Sequence, residues 1–196
     1  MATTKLNNIF LSASVPLPER DPQYYKTADL IAIRDAVLAL ATIALPKYRL
    51  VWGGHPSITP LINYVLQKMN IEIQDHVTLF QSRFFEKHFP EDNNKFNNVI
   101  LTENLGDKVS SLKLMRKTMF ESCKFKAGIF IGGMDGVEEE YDMFKFFQPE
   151  ALILPIASTG AAAKIIYDNL RDNISDQFEK NYAYMSLFQN HLIDNI

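Results

Sequence analysis

Six short apolar runs, rich in β-branched and aromatic residues, punctuate this chain, and longer stretches of helical period separate them. The runs are Ile9–Val15, Arg49–Trp52, Val77–Gln81, Val99–Thr102, Gly128–Ile131 and Ala151–Ile156. Between the first two, Leu30, Ile33, Val37, Leu40, Ala41 and Ala44 recur at the spacing of one helix face. Leu61, Ile62, Val65, Leu66 and Met69 do the same, as do Leu112, Met115 and Met119. Pro46 stops the first of these helices, because it lacks the amide hydrogen and crowds the preceding turn. The run around Leu154 is apolar throughout instead of alternating, which marks a strand covered on both faces. Such strands alternating with helices predict an α/β fold: one Rossmann-like, three-layer domain over residues 1–196 with a mostly parallel sheet, its core spanning about 9–170.

Bulk properties exclude several functions. Asp plus Glu outnumber Lys plus Arg by 23 to 20, a net charge of -3, so no general basic face for nucleic acid or an anionic membrane is expected. The single cysteine, Cys123, allows no intrachain disulfide and fits a reducing cytoplasm. It reads as a partly buried helix residue, since no histidine lies near it to activate a thiolate. The opening MATTKLNNIFLSASVPLPERD has one lysine and an apolar stretch broken by serines, which reads as a first strand and not a signal peptide. No stretch approaches the ~20 apolar residues of a membrane span. Residues 90–98, PEDNNKFNN, read as a loop.

In an open parallel sheet, ligands sit beyond the carboxyl ends of the strands. Four of the six strand ends here are built from small or hydroxyl residues that run into a helix. They are Ser12-Ala13-Ser14, Gly53-Gly54-His55-Pro56-Ser57, Gly132-Gly133-Met134-Asp135-Gly136 and Ala157-Ser158-Thr159-Gly160. Small residues let backbone amides approach phosphate oxygens, so this edge is the expected ligand rim. The candidates are Ser12, Ser14, Gly53, Gly54, His55, Ser57, Gly132, Gly133, Met134, Asp135, Gly136, Ser158 and Thr159.

The stretch LMRKTMFESCKFKAGIFIGGMDGVEEEYDMF, residues 114–144, adds charge to that rim. Arg116 and Lys117 lie on a helix, an apolar strand follows, and a Gly-Gly turn leads into Glu138-Glu139-Glu140. This arrangement resembles the SLOG superfamily, which includes the LONELY GUY phosphoribohydrolases, the DNA-processing protein, the N-terminal domains of TRP melastatin channels and the sensor domains of Thoeris anti-phage effectors. The LONELY GUY pattern is Arg-Lys on a helix and then P-G-G-x-G-T-x-x-E. Thirteen residues separate Lys117 from the position of the family proline, the spacing of that group. IFLSASVP and VWGGHPSITPLI resemble the first and second strand ends of SLOG domains, so the likeness covers roughly residues 9–160. Departures are equally visible. Ile131 stands for the proline, Val137 for the threonine, and one extra residue separates Gly133 from Gly136. The insertion leaves two registers for the family glutamate, Glu139 or Glu140.

The resemblance implies two functions. The first is a sensor that binds a nucleotide-derived ligand of the ADP-ribose or cyclic ADP-ribose kind, as in anti-phage signalling. Arg116, Lys117 and Glu140 then join the ligand-binding set. Such domains are usually fused to an effector, so here an effector acting in trans, a homo-oligomer or a longer parent protein is implied. The second is hydrolysis of the N-glycosidic bond of a nucleoside 5′-monophosphate, with Arg116, Glu139 and Glu140 as the catalytic candidates. The altered turn argues for the sensor, because catalysis tolerates less misplacement than binding. The acidic balance counts against a DNA-processing role. His76, His88 and His191 have no partners at metal-ligand spacing, so no metal or cofactor is expected. Phe84, just beyond the third strand, is the candidate for stacking on a base. Residues 176–193 read as a C-terminal helix, with Phe178, Tyr182, Met185 and Leu192 on one stripe that packs on the domain or meets a second copy.

Overall fold

A computed structural model describes residues 6–69 and 74–196; the first five residues of the N-terminal stretch lie outside it. The strands are β1 (Asn7–Ser14), β2 (Tyr48–Trp52), β3 (Val77–Ser82), β4 (Val99–Thr102), β5 (Phe125–Gly132) and β6 (Leu152–Ile156). The principal helices are α2 (Leu30–Ala44), α3 (Thr59–Met69), α4 (Lys108–Ser122), α5 (Asp135–Phe147) and α6 (Ala161–Leu170). Single turns α1 (Pro22–Tyr25), α7 (Gln177–Lys180) and α8 (Tyr184–Phe188) complete the set. The strands form one sheet in the order β4-β3-β2-β1-β5-β6, and every pairing is parallel. The fold is therefore a Rossmann-like α/β sandwich, as the alternation of strands and helices predicts.

Side chains alternate across the sheet, so each strand feeds two cores. Ile9, Leu11, Leu50, Trp52, Leu79, Ile129 and Ile131 pack against α2, α3 and α8 on one face. Phe10, Val51, Phe80, Phe125 and Phe130 pack against α4, α5 and α6 on the other. Phe10 stacks on Phe144 at 5.3 Å and meets Phe120 edge-on at 4.9 Å, anchoring α5 and α4 to the same strand. Asp29 and Asp107 start α2 and α4 by accepting from the amides of Ala32 and Ser110, both at 2.9 Å.

Three local expectations change. β5 starts at Phe125, not Gly128, because exposed Lys126 interrupts the apolar run without interrupting the strand. The loop 90–98 contains a 3₁₀ turn, Glu91–Lys95. The C-terminal segment is not one helix. It breaks at residues 181–183, where Asn181 Oδ1 accepts from Ala183 N, and ends in a π turn, Gln189–Ile193. The expected stripe is thereby split: Phe178 and Leu192 are buried, whereas Tyr182 and Met185 are exposed. Tyr184, Leu187 and Phe188 fill the gap against α2 and the sheet.

The strand order reverses between β1 and β5. Chain leaves β1 toward β2 on one side, and β5 leads to β6 on the other, so a crevice opens above their carboxyl ends.

Candidate functional site

A cavity of about 410 Å³ occupies that crevice and extends over the ends of β2 and β3. Its walls are largely apolar, with Trp52, Ile58, Phe85, Phe89, Leu112, Met115 and Met134 among them. Its polar residues come from the end of β1 and the loop that follows it, the β2–α3 corner, β3, the Arg83–His88 turn, α4 and the start of α5.

Arg116 forms the charged floor. It is 5% exposed and every nitrogen of its guanidinium is used. Nε donates to Glu140 Oε1 at 3.2 Å, one terminal nitrogen donates to Glu139, and the other donates to the Gly136 carbonyl at 3.2 Å. Burial disfavours the charged guanidinium, but the carboxylates of Glu140 and Glu139 outweigh it and hold its pKa above the usual value. Glu140 is the inward carboxylate, with a side chain 15% exposed against 62% for Glu139. Its second oxygen accepts from Ser12 Oγ at 2.6 Å. The turn brings Glu140 between Ser12 and Arg116 and leaves Glu139 the more exposed of the two.

The turn after β5 works because its glycines are left-handed. Gly132 and Gly133 have φ of 55° and 87°. A Cβ on Gly132 would lie 2.5 Å from Ile33 and one on Gly133 2.2 Å from Val137, so no side chain fits there. The Gly133 amide donates to Ser14 O at 2.9 Å, locking the turn to β1. Helix α5 then begins at Met134 with no side-chain cap, and its first-turn bonds start only at the amides of Val137 and Glu138. The amides of Asp135 and Gly136 have no backbone acceptor in this first turn, and both residues line the cavity.

The β2–α3 corner is arranged differently. His55 caps it from within: its carbonyl accepts from the amides of Ile58 and Thr59, and its Nδ1 accepts from Ser57 N at 3.2 Å. That bond leaves the proton on Nε2. Burial, with the nearby Arg20 guanidinium, pushes the His55 pKa down to about 4, so the ring is a neutral donor at pH 7. Arg20 also reaches Asp135, at 3.6 Å.

Comparison with known proteins bears on the family and the fold. The profile of the SLOG cluster3 family matches residues 23–192. The chain belongs to the SLOG cluster3 family. The crystal structure of TM1055, a structural-genomics target, superposes on this SLOG chain with a TM-score of 0.58 at 13% identity, over 88% of this chain and 89% of that one. At that identity the likeness shows a shared fold. Among curated proteins no sequence match is found.

Within this SLOG fold, Ser14, Gly53, Gly54, His55, Arg116, Met134, Asp135, Gly136, Glu139 and Glu140 line the cavity together. Ser12 stands directly behind Glu140, while Gly132 and Gly133 frame the turn. Four candidates lie elsewhere. Lys117 is on the outer face of α4, 3.9 Å from Glu121. Ser57 is exposed and contributes only its amide to the corner. Ser158 Oγ is held by Asn181 O and the Tyr184 hydroxyl. Thr159 is fully buried, donating to Ile156 O and accepting from Gly132 N at 2.8 Å. These two hydroxyls brace the β5 turn and the C-terminal segment, and α6 is closed off in the same way: its Ala161 amide is taken by Thr27 Oγ1 and its Ala162 amide by Gly133 O.

Arg20, Gln81, Phe85, His88 and Lys108 line the cavity without having been candidates. Phe85, not Phe84, faces it, and the two rings meet edge-on at 5.0 Å. Among the described residues no three His, Cys, Asp or Glu side chains converge as a metal site would require. No helix among them is long and apolar enough to cross a membrane.

Proposed function

We propose that this SLOG chain binds a nucleotide-derived ligand of the ADP-ribose kind in the cavity above β1 and β5, and acts as a sensor. The observation that carries the reading is the juxtaposition of an α5 N-terminus without a side-chain cap and the cationic side chains Arg20, Lys108 and Arg116 in a cavity with largely apolar walls. The volume falls within the ~300–1,000 Å³ usual for small-molecule sites. Unpaired amides and the helix dipole favour phosphate at the start of α5. Arg20 and Lys108 supply further positive charge at the same cavity, which suits a diphosphate better than a monophosphate. Apolar walls suit a base and the faces of a ribose. An effector acting in trans, or a second copy of the chain, would read the occupied state. A role in anti-phage signalling fits a domain that binds without turnover.

One observation favours a second reading. Glu140, oriented by Ser12 and Arg116, is placed as a carboxylate that could act at a ribosyl carbon, the chemistry of a nucleoside-monophosphate phosphoribohydrolase. Both its oxygens are already engaged, however, which supports holding over attack.

The test is titration calorimetry of the purified chain with ADP-ribose, cyclic ADP-ribose and AMP. Micromolar or tighter binding of at least one diphosphate, weakened roughly tenfold or more by Arg20→Ala, is expected. Absence of heat with all three probes overturns the reading.

A further inference from the structure

Gln81, one residue from the end of β3, is 6% exposed, lines the cavity, and has no hydrogen-bond partner for its carboxamide among the described residues. Neither amide atom is among the fully buried atoms left without a partner, so the carboxamide keeps access to the cavity and can meet whatever fills it. The described residues with a fully buried side-chain atom left without a partner, Asn93, Thr102 and Glu138, do not line this cavity. Gln81 lines it, as does the small hydroxyl of Ser14 at the end of β1.

Its surroundings say what it could meet. A Cβ on Gly54 would lie 2.1 Å from Gln81 Nε2 and 2.7 Å from its Cδ, so the carboxamide packs against a left-handed position that favours glycine. A Cβ on the preceding Gly53 would lie 3.6 Å from Glu140 Oε1. The glycine pair therefore sits between the two side chains: Glu140 on the side of α5, Gln81 on the side of the Arg83–His88 and Glu91–Lys95 turns. Phe85, Phe89 and Pro90 from that side, with Ile58, give the cavity apolar walls able to cover the faces of a planar ring. A carboxamide presents a donor and an acceptor side by side in one plane. Its complement is a heterocycle edge with the reverse pattern, as the 6-amino group and a ring nitrogen of adenine provide.

We propose that Gln81 is a specificity-determining residue that reads the base of the ligand, pairing its carboxamide with an adenine-type edge while Phe85 and Phe89 cover the ring. This rests on the nucleotide reading above and assigns one half of the cavity to the base, the other to the phosphate-bearing ribose. It also explains Gly54: any side chain there would displace the reading group.

The experiment compares wild type with Gln81→Leu, which keeps the volume and removes both hydrogen-bonding groups. Probes are AMP, purine riboside 5′-monophosphate, which lacks only the 6-amino group, and ribose 5-phosphate, which lacks the base. Wild type is expected to favour AMP over purine riboside monophosphate by about tenfold or more, as one base-edge pair typically discriminates. Gln81→Leu is expected to lose that preference while binding ribose 5-phosphate as wild type does. Equal weakening of all three probes would make Gln81 a structural residue and overturn the inference. An AMP preference that survives Gln81→Leu overturns it too, leaving the nucleotide reading intact. Wild type that binds none of the three removes the base assignment, and with silence toward the diphosphates it removes the nucleotide reading as well.

Discussion

Ser12 Oγ donates to Glu140 Oε2 at 2.6 Å, tying a buried hydroxyl of β1 to the second turn of α5 across 128 residues of chain. Glu140 is thereby fixed from both sides, by Ser12 and by Arg116. Ser12→Ala leaves one oxygen of a largely buried carboxylate without its donor, which costs about 1–3 kcal/mol. Urea denaturation is expected to show a lower midpoint with an unchanged m value. A loss below about 0.5 kcal/mol would mean that Arg116 alone holds Glu140.

Removing Arg116 goes further, because a charge then stays buried without its counter-ion. Arg116→Met is expected to cost about 3 kcal/mol, nearly all of it through Glu140, since Glu139 is exposed enough to be solvated. The double variant Arg116→Met, Glu140→Gln should therefore be more stable than the sum of the single losses allows, with a coupling above about 1 kcal/mol. Strict additivity in the denaturation midpoints would show that the pair is not energetically linked. Lys117→Ala, on the outer face of the same helix, should change stability by less than about 0.5 kcal/mol.

The fold was legible because a sheet covered on both faces leaves runs too apolar to be anything else. Exposed Lys126 disguised the start of β5, and the polar pair Asn7-Asn8 that of β1. Arg116 and the glycine turn were legible through their spacing, but the insertion at Asp135 hid which glutamate turns inward. The structure resolves this, since only the residue one turn beyond Gly136 on the inner face of α5 can reach Ser12. Ser158 and Thr159 look the same in sequence as Ser12 and Ser14. Their partners, Tyr184 and Asn181 for one and the Gly132 amide for the other, are distant in the chain or belong to the backbone. Gln81 reads as an ordinary polar strand end until Gly54 is brought against it. Arg20 lies in a loop with no pattern of its own.

Gly54 and Gly53 should respond differently to the same substitution. Gly54 has φ of 65° and its Cβ would strike Gln81 and Leu79, whereas at Gly53 the tightest approach is the flexible end of Met115 at 3.0 Å. Gly54→Ala is expected to cost about 2 kcal/mol and lower Tm by roughly 4–8 °C. Gly53→Ala should cost less than half of that. Equal shifts in a thermal melt would contradict the left-handed, closely packed corner.

His55 makes stability depend on pH in a defined window. Its folded pKa is near 4 against 6.5 when exposed, so the unfolded chain takes up a proton first as pH falls. The contribution is absent above about pH 6.5 and becomes a growing penalty down to about pH 4, at most about 3 kcal/mol before solvent in the cavity reduces it. His55→Asn keeps an acceptor for the Ser57 amide and removes the titration. Urea midpoints measured from pH 7 to 4.5 should fall less steeply in this variant than in wild type. Identical slopes would place the acid sensitivity in other groups.

Glu140 decides between holding and hydrolysis. A carboxylate that attacks a ribosyl carbon or activates water needs a free oxygen at close range, and small misplacement can cost about a hundredfold in rate. Here Oε1 accepts from Arg116 and Oε2 from Ser12, so the oxygens brace the floor of the cavity. Glu140→Gln removes a negative charge from a site proposed to receive phosphate, yet the amide can still accept from Arg116 or Ser12 through its one oxygen. The variant is expected to bind ADP-ribose at least as tightly as wild type. Wild type is expected to release no free base from AMP or CMP over hours. Both are measured on one set of samples, by calorimetry and by chromatography of the incubated nucleotides. Base release by wild type that disappears in Glu140→Gln would make Glu140 catalytic and establish the phosphoribohydrolase instead.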